Sequence, residues 1–133
     1  MILTMETSSV AATCDTHSAT AAADSAPWID PVLGITVAID GRVDNRRELL
    51  ARLGDRGAAI RTGSAAEVIA AAYAVRGPQC FADLLGDFVL VLWDPSRHRL
   101  VCARDPLGLK PLYYTSIGDT VVCASELRQL LAY

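Results

Sequence analysis

Phe88-Val-Leu-Val-Leu-Trp-Asp94, followed after five residues by Leu100-Val-Cys-Ala103, decides the fold class of this chain. A run in which both alternating sets are apolar is a strand covered on both faces. Asp94-Pro-Ser-Arg97 between the two runs is a type I turn candidate, so they should return on each other as a hairpin. Working outward, Pro111 to Thr115 and Thr120 to Ala124 form a second hairpin across Ile117-Gly118-Asp119, and Ser125 caps a closing helix through Leu131. Upstream, Ile35-Thr-Val-Ala-Ile39 reads as a strand ending at Asp40-Gly41, a turn signal. Asn45 and Glu48 have capping-box spacing, and Leu49, Leu50 and Leu53 stripe the helix they open, with Gly54 ending it. Ala58 to Thr62 reads as a short strand. Ser64-Ala-Ala-Glu67 is a second capping box, opening a helix with Val68, Ile69, Ala72, Tyr73 and Val75 at helical spacing until Gly77-Pro78 stops it. Phe81, Leu84 and Leu85 mark a third short helix. Strands cluster rather than alternate with helices, so the class is α+β, with a mainly antiparallel sheet in a layered sandwich.

The 133 residues are about one domain. They are 52% apolar and 20% charged, a composition that excludes wholesale disorder. No apolar stretch approaches the length of a membrane span. The net charge of −3 argues against nucleic-acid binding by bulk electrostatics. The first Lys or Arg is Arg42, so neither a secretory signal nor a transit peptide is expected, and the protein is expected to be cytoplasmic. Cys14, Cys80, Cys102 and Cys123 contain no Cys-x-x-Cys, which argues against zinc; the last three sit among apolar neighbours and read as reduced core thiols. Residues 1–26 are dominated by Ser, Thr and Ala without a period. They read as weakly ordered, or as a strand that only a partner would fix. Pro27 and Pro31 bracket an extended connector. The expected division is a weakly structured 1–33 and a folded 34–133.

Asp40-Gly-Arg-Val-Asp-Asn-Arg-Arg-Glu-Leu-Leu50, Gly63-Ser-Ala-Ala-Glu-Val-Ile69, Leu85-Gly-Asp-Phe-Val-Leu-Val-Leu-Trp-Asp94, Arg104-Asp-Pro-Leu-Gly-Leu-Lys-Pro-Leu-Tyr-Tyr114 and Ala124-Ser-Glu-Leu127 occur in that order. Together they resemble the class II (N-terminal-nucleophile type) glutamine amidotransferase domain of asparagine-synthetase-like enzymes, a branch that includes β-lactam synthetases and lasso-peptide cyclases. The resemblance runs from about residue 34 to the end. It implies the four-layer αββα sandwich of N-terminal-nucleophile hydrolases, here incomplete at its N-terminus. It also implies a partner: an ATP-dependent synthetase domain or chain, with ATP and Mg belonging to that partner and no cofactor in this chain.

The resemblance also says where glutaminase chemistry should sit. Family members use an N-terminal Cys whose own α-amino group is the base. Here Met1 is followed by Ile2. The family's oxyanion donors are an Asn-Gly pair; here the pair is Asp40-Gly41. An ionised Asp only accepts hydrogen bonds, and one lost oxyanion donor costs about 3–4 kcal/mol of transition-state stabilisation. The family's next residue, Glu, is Arg42, and the Asp that grips the substrate ammonium is matched by Ala65. Asp40, Gly41, Arg42 and Ala65 are therefore the positions of a degenerate glutamine pocket, with no catalytic residue and no metal ligand expected.

The remaining polar candidates have bland readings. Arg104, Asp105 and Lys110 form a charged loop that could bind an anion but reads first as structural, with Asp105 accepting backbone N–H groups and Arg104 pairing with a carboxylate. Asp87 and Glu126 read as loop and cap residues, Arg46 and Arg47 as a solvated helix face, His98 as a turn residue, and Trp28 and Trp93 as core or interface anchors. Cys14-Asp-Thr-His17 sets a thiol three residues from an imidazole without identifiable oxyanion donors. The expected function is a glutaminase-inactive docking module for an amide-forming enzyme. The alternatives are the glutaminase portion of an asparagine synthetase whose nucleophile lies upstream of Met1, and a non-functional fragment. A domain lacking its first strands should leave a sheet edge and apolar surface uncovered, where a partner or a second copy would bind.

Overall fold

In the computed structural model the described residues are 2–6, 9–13 and 27–132. Two sheets carry the fold. The larger has five strands in the order β1-β6-β5-β4-β3: β1 (Ile2–Glu6), β3 (Trp28–Ile29), β4 (Thr36–Gly41), β5 (Phe88–Asp94) and β6 (Arg99–Arg104). All its pairings are antiparallel. The smaller has β2 (Ser9–Thr13), β8 (Thr120–Ala124) and β7 (Tyr113–Ile117), in the order β2-β8-β7. β7 and β8 run antiparallel, β2 and β8 parallel. The helices are α1 (Arg46–Arg52), α2 (Asp55–Ala58), α3 (Ala65–Arg76) and α4 (Leu127–Ala132), with a 3₁₀ stretch at Gly77–Asp83.

The doubly apolar strand predicted for Phe88–Trp93 is β5, at the centre of the larger sheet. Its cross-strand rows explain the need for two apolar faces. Val37 and Ile39 of β4, Leu90 and Leu92 of β5, and Val101 and Ala103 of β6 form one face, packed on Leu49 of α1 and on Val68, Ile69, Ala72 and Tyr73 of α3. The opposite face presents Val91, Trp93, Leu100 and Cys102 to Val121 and Cys123 of β8, with Met5 and Leu112 at the margin. The two sheets thus pack on each other, and a slip of one residue in β5 would exchange its two apolar sets between unlike partners. On β8, Val122 and Ala124 alternate to the other face and are buried too, and α4 lies against β7 and β8.

The turn after β5 follows the sequence closely. Asp94 is fully buried; its Oδ1 accepts from the Ser96 N–H (3.1 Å) and hydroxyl (2.6 Å), and its Oδ2 from the Arg97 guanidinium (2.8 Å) and the Tyr73 hydroxyl (3.2 Å). Burial pushes the carboxyl up, but these donors more than offset it and hold it below its ordinary value. His98 closes the turn in the left-handed region at φ 48°, with its ring edge-on to Trp93.

Several expectations need correction. Ala58–Thr62 is not a strand: Asp55–Ala58 is a helical turn, and the backbone of Arg61 to Gly63 wraps the Glu67 carboxylate instead. Asn45 does precede α1, but makes no side-chain cap; its amide donates to the Asp83 carbonyl (2.7 Å) and its carbonyl accepts from the Leu85 N–H (3.0 Å), a tertiary use that outcompetes the local one. Asp40-Gly41 is not a turn but the end of β4, paired with Val89 and Phe88. Val75, on the outer side of α3, and Leu85, in the loop after the 3₁₀ stretch rather than in a helix, are exposed. Within the segment expected to be weakly ordered, residues 2–6 and 9–13 are strands, one completing an edge of each sheet. Backbone pairing needs no hydrophobic period, so Ser9–Thr13, rich in Ser, Thr and Ala, carried no strand signal, and Ile2–Glu6 is too short to show one. Among the described residues no helix is long and apolar enough to cross a membrane.

Candidate functional site

The C-terminal end of β4 brings the sequence candidates together. Gly41 has φ +118°, and a Cβ there would meet the Asp87 carbonyl oxygen at 2.0 Å. Only glycine permits this approach, in which the Arg42 N–H donates to that same carbonyl at 2.8 Å. The Asp40 backbone is held in the same ladder, opposite Val89. By strand alternation the Asp40 side chain leaves the helix-covered face, to which Ile39 belongs, and points to the face shared with Val89 and Arg104.

There it meets Lys110. The Lys110 Nζ donates to the Asp40 Oδ1 at 3.0 Å, with both side chains largely covered. Lys110 is delivered by the loop after β6, which Asp105 organises. Asp105 is buried; its own N–H donates to the Phe88 carbonyl (2.9 Å), and its carboxylate accepts from the N–H groups of Leu109 (3.1 Å) and Lys110 (3.4 Å). Desolvation raises this carboxyl, but the backbone donors of residues 107–110 outweigh it and hold it below the ordinary range. Arg104 ends β6 half-buried, its guanidinium so close over Gly108 that a Cβ there would touch it.

Arg42 turns outward. It pairs with Asp44 (3.4 Å) and Asp87 (3.2 Å) and is mostly exposed, so these bridges contribute little. Ala65 lies on α3, which packs against β4. It opens α3 and is buried in the helix-covered core. The preceding loop is fixed by Glu67, whose carboxylate accepts from the N–H groups of Arg61 (2.9 Å), Thr62 (2.7 Å) and Gly63 (3.0 Å) and the Thr62 hydroxyl (2.5 Å). Ser64 caps the Glu67 N–H at 3.2 Å, but Glu67 spends its carboxylate on the loop rather than completing the box. Arg46, expected on a solvated face, is half-buried and donates to the Gly63 carbonyl at 3.3 Å, joining α1 to this loop.

The Asp40–Lys110 contact spans 70 positions and has no local signal, so sequence reasoning missed it. As for nucleophiles, Cys80, Cys102 and Cys123 are all buried, and burial pushes the Cys80 thiol up to about 12. A thiol raised that far is a poor attacking group at neutral pH. Cys14 and His17 lie outside the described residues. No cluster of metal-binding side chains occurs among the described residues.

A family model described as "Glutamine amidotransferase domain" matches residues 14–132, which include every strand but the first two and all the positions above. The chain belongs to the glutamine amidotransferase domain family. The match starts earlier than the resemblance traced from about residue 34, and so takes in β3. Among curated relatives, Asparagine synthetase [glutamine-hydrolyzing] 1 of Bacillus subtilis (strain 168) is 38% identical over 95 residues, covering 71% of this chain and 15% of that protein. Asparagine synthetase B [glutamine-hydrolyzing] of Escherichia coli (strain K12) is 39% identical over 97 residues, covering 71% and 17%. Amidase chry2 of Gibberella zeae is 33% identical over 107 residues, covering 80% and 16%. The chain therefore spans about a sixth of the length of these relatives.

Proposed function

We propose that this is an amidotransferase-type domain that does not hydrolyse glutamine, and that it serves as a structural and docking module for an asparagine-synthetase-like, ATP-dependent amide-forming domain or chain. The observation that carries the reading is the Asp40–Lys110 ion pair at the end of β4. Where the family resemblance calls for an Asn amide donating to an oxyanion, this chain has an acceptor already committed to an ammonium group. The buried thiols among the described residues and the apolar Ala65 at the position of the ammonium-gripping acid support the same reading. On this proposal ATP and Mg belong to the partner, and this chain holds no cofactor of its own. Helices over one face of the larger sheet, the two packed sheets, and α4 against the smaller one suit a four-layer αββα sandwich. We place the protein in the cytoplasm on the same reading.

A second reading is favoured by one finding: the bacterial relatives at 38–39% identity carry names that include glutamine hydrolysis. It makes this chain a portion of a glutaminase whose attacking residue lies elsewhere. Ammonia release from glutamine by the purified chain separates the two. No release above background by the unmodified chain, with no γ-glutamyl adduct by mass spectrometry, is expected. Turnover, or a γ-glutamyl thioester on any cysteine, would refute the inactive reading.

A further inference from the structure

Cys102 and Cys123 face each other across the interior between the two sheets. Their sulfurs are 3.5 Å apart, and both side chains are buried. Cys102 lies on β6 and Cys123 on β8, among Leu100, Val121, Val91 and Trp93. They share no strand and no loop. Around them the described side chains of this cluster are apolar, so this is a point where one covalent bond would tie sheet to sheet. We propose that Cys102 and Cys123 form a reversible disulfide that locks the two sheets together when the protein meets a small disulfide oxidant.

The geometry is close to what the bond needs. A disulfide requires about 2.05 Å between sulfurs, so the sheets must approach by about 1.5 Å at this point, or the side chains rotate to the same effect. The chemistry is ordinary thiol–disulfide exchange. One cysteine, as thiolate, attacks glutathione disulfide and releases one glutathione. The second attacks the mixed disulfide and releases another. Two S–H bonds are lost, one S–S bond forms, and the two electrons and two protons leave with two molecules of reduced glutathione.

Access is controlled by the fold. Cys102 is paired to Leu3 of β1 and Cys123 to Ala12 of β2, so both cysteine strands are shielded at one edge by the N-terminal stretch. The contact with Cys123 and burial push the Cys102 thiol up, and the same contact draws the Cys123 thiol down, which leaves Cys123 as the attacking sulfur. Reaction therefore proceeds through opening of those edges, slowly, and faster in sub-denaturing urea.

The test is incubation of the purified chain with glutathione disulfide, followed by intact mass and non-reducing peptide mapping. The expected product is lighter than the reduced chain by two hydrogens, carries a peptide linking 102 to 123, and returns to the starting mass with dithiothreitol. Closing a 21-residue loop raises Tm by about 10–15 °C over the reduced form. The Cys102→Ala and Cys123→Ala variants each lose the product, while Cys80→Ala retains it. Three results would overturn the proposal: an unchanged mass in urea just below the unfolding transition, linkage through Cys14 or Cys80 instead, or a mixed glutathione disulfide that never resolves. Because the unmodified chain alone gives each of these outcomes, a variant that fails to fold does not shield the proposal.

Discussion

Glu67→Gln is the substitution whose consequence follows most directly from the structure. Glu67 is 6% exposed and anchors four donors from residues 61–63, the segment that delivers the chain into α3 and Ala65. The amide oxygen of Gln can keep the site facing Thr62 and Gly63, but its NH₂ then faces the Arg61 N–H, donor against donor. The retained bonds also lose their charge assistance. Hydrogen bonds to charged groups contribute about 1.5–3 kcal/mol each, and Arg61 and Thr62 are exposed enough for their freed donors to reach water, so the net loss is about 2 kcal/mol. For a domain of this size that lowers Tm by about 6–10 °C. Glu67→Ala removes all four bonds and the favourable charge at the start of α3, and is expected to cost about 3–4 kcal/mol. The pH dependence has a definite sign. Burial pushes the Glu67 carboxyl up, but the Thr62 hydroxyl and the three N–H groups outweigh it and hold it below its ordinary value. Its stabilisation is therefore complete above the unfolded value and is lost as pH falls through the lower folded value. Urea melts of the unmodified chain between pH 6 and pH 3 should show that loss, and Glu67→Gln should show a shallower slope. A Gln variant within about 0.5 kcal/mol of the parent, with the same pH slope, would refute the reasoning.

Three further outcomes test other joints of the fold. Gly41→Ala drives a Cβ into the Asp87 carbonyl at a left-handed φ, and should destabilise by about 3 kcal/mol in urea melts; a near-neutral result would show that β4 ends differently. Tyr73→Phe removes one of the donors to buried Asp94 and should cost about 1–2 kcal/mol, read from the urea midpoint at constant m. Asp105→Asn loosens the loop that carries Lys110: amide exchange at Leu109 and Lys110 should accelerate while Leu90 stays protected, and unchanged protection would remove Asp105 from that role.

The parts of the fold legible in the sequence are those where one local signal had no competitor. β5 is the clearest: its two apolar sets are divided between the helices and the smaller sheet, so every residue of Phe88–Trp93 carried information. The Ser64 cap and the Gly77 stop of α3 were equally plain, because cap and stop chemistry acts within one turn of backbone. Asn45 shows the limit. Its type and spacing fit a cap, yet Asp83 and Leu85 offer its amide a better pair of partners from across the chain, and nothing near residue 45 announces them. The strands at 2–6 and 9–13 show the complementary limit, since an edge strand is held by another strand's backbone and can form from residues with little pattern of their own.

The candidate site divides along the same line. The identities of Asp40, Gly41, Arg42 and Ala65 were readable one by one, and so was the role of Asp105, whose carboxylate serves N–H groups four and five residues away. What no local reading supplies is the state of Asp40. An isolated carboxylate at the end of β4 would be an open acceptor, able to meet a cation or an ammonium substrate. Paired with Lys110 it is instead a closed unit, and the loop that presents Lys110 is itself fastened to β5 through the Asp105 N–H and the Phe88 carbonyl. Converting Asp40 to Asn would therefore not recreate an oxyanion donor by itself, because the amide oxygen would still be the better partner for Lys110 and would turn the NH₂ according to that contact. On the proposed reading, restoring a donor there requires changing Lys110 as well, because the ion pair couples the two positions.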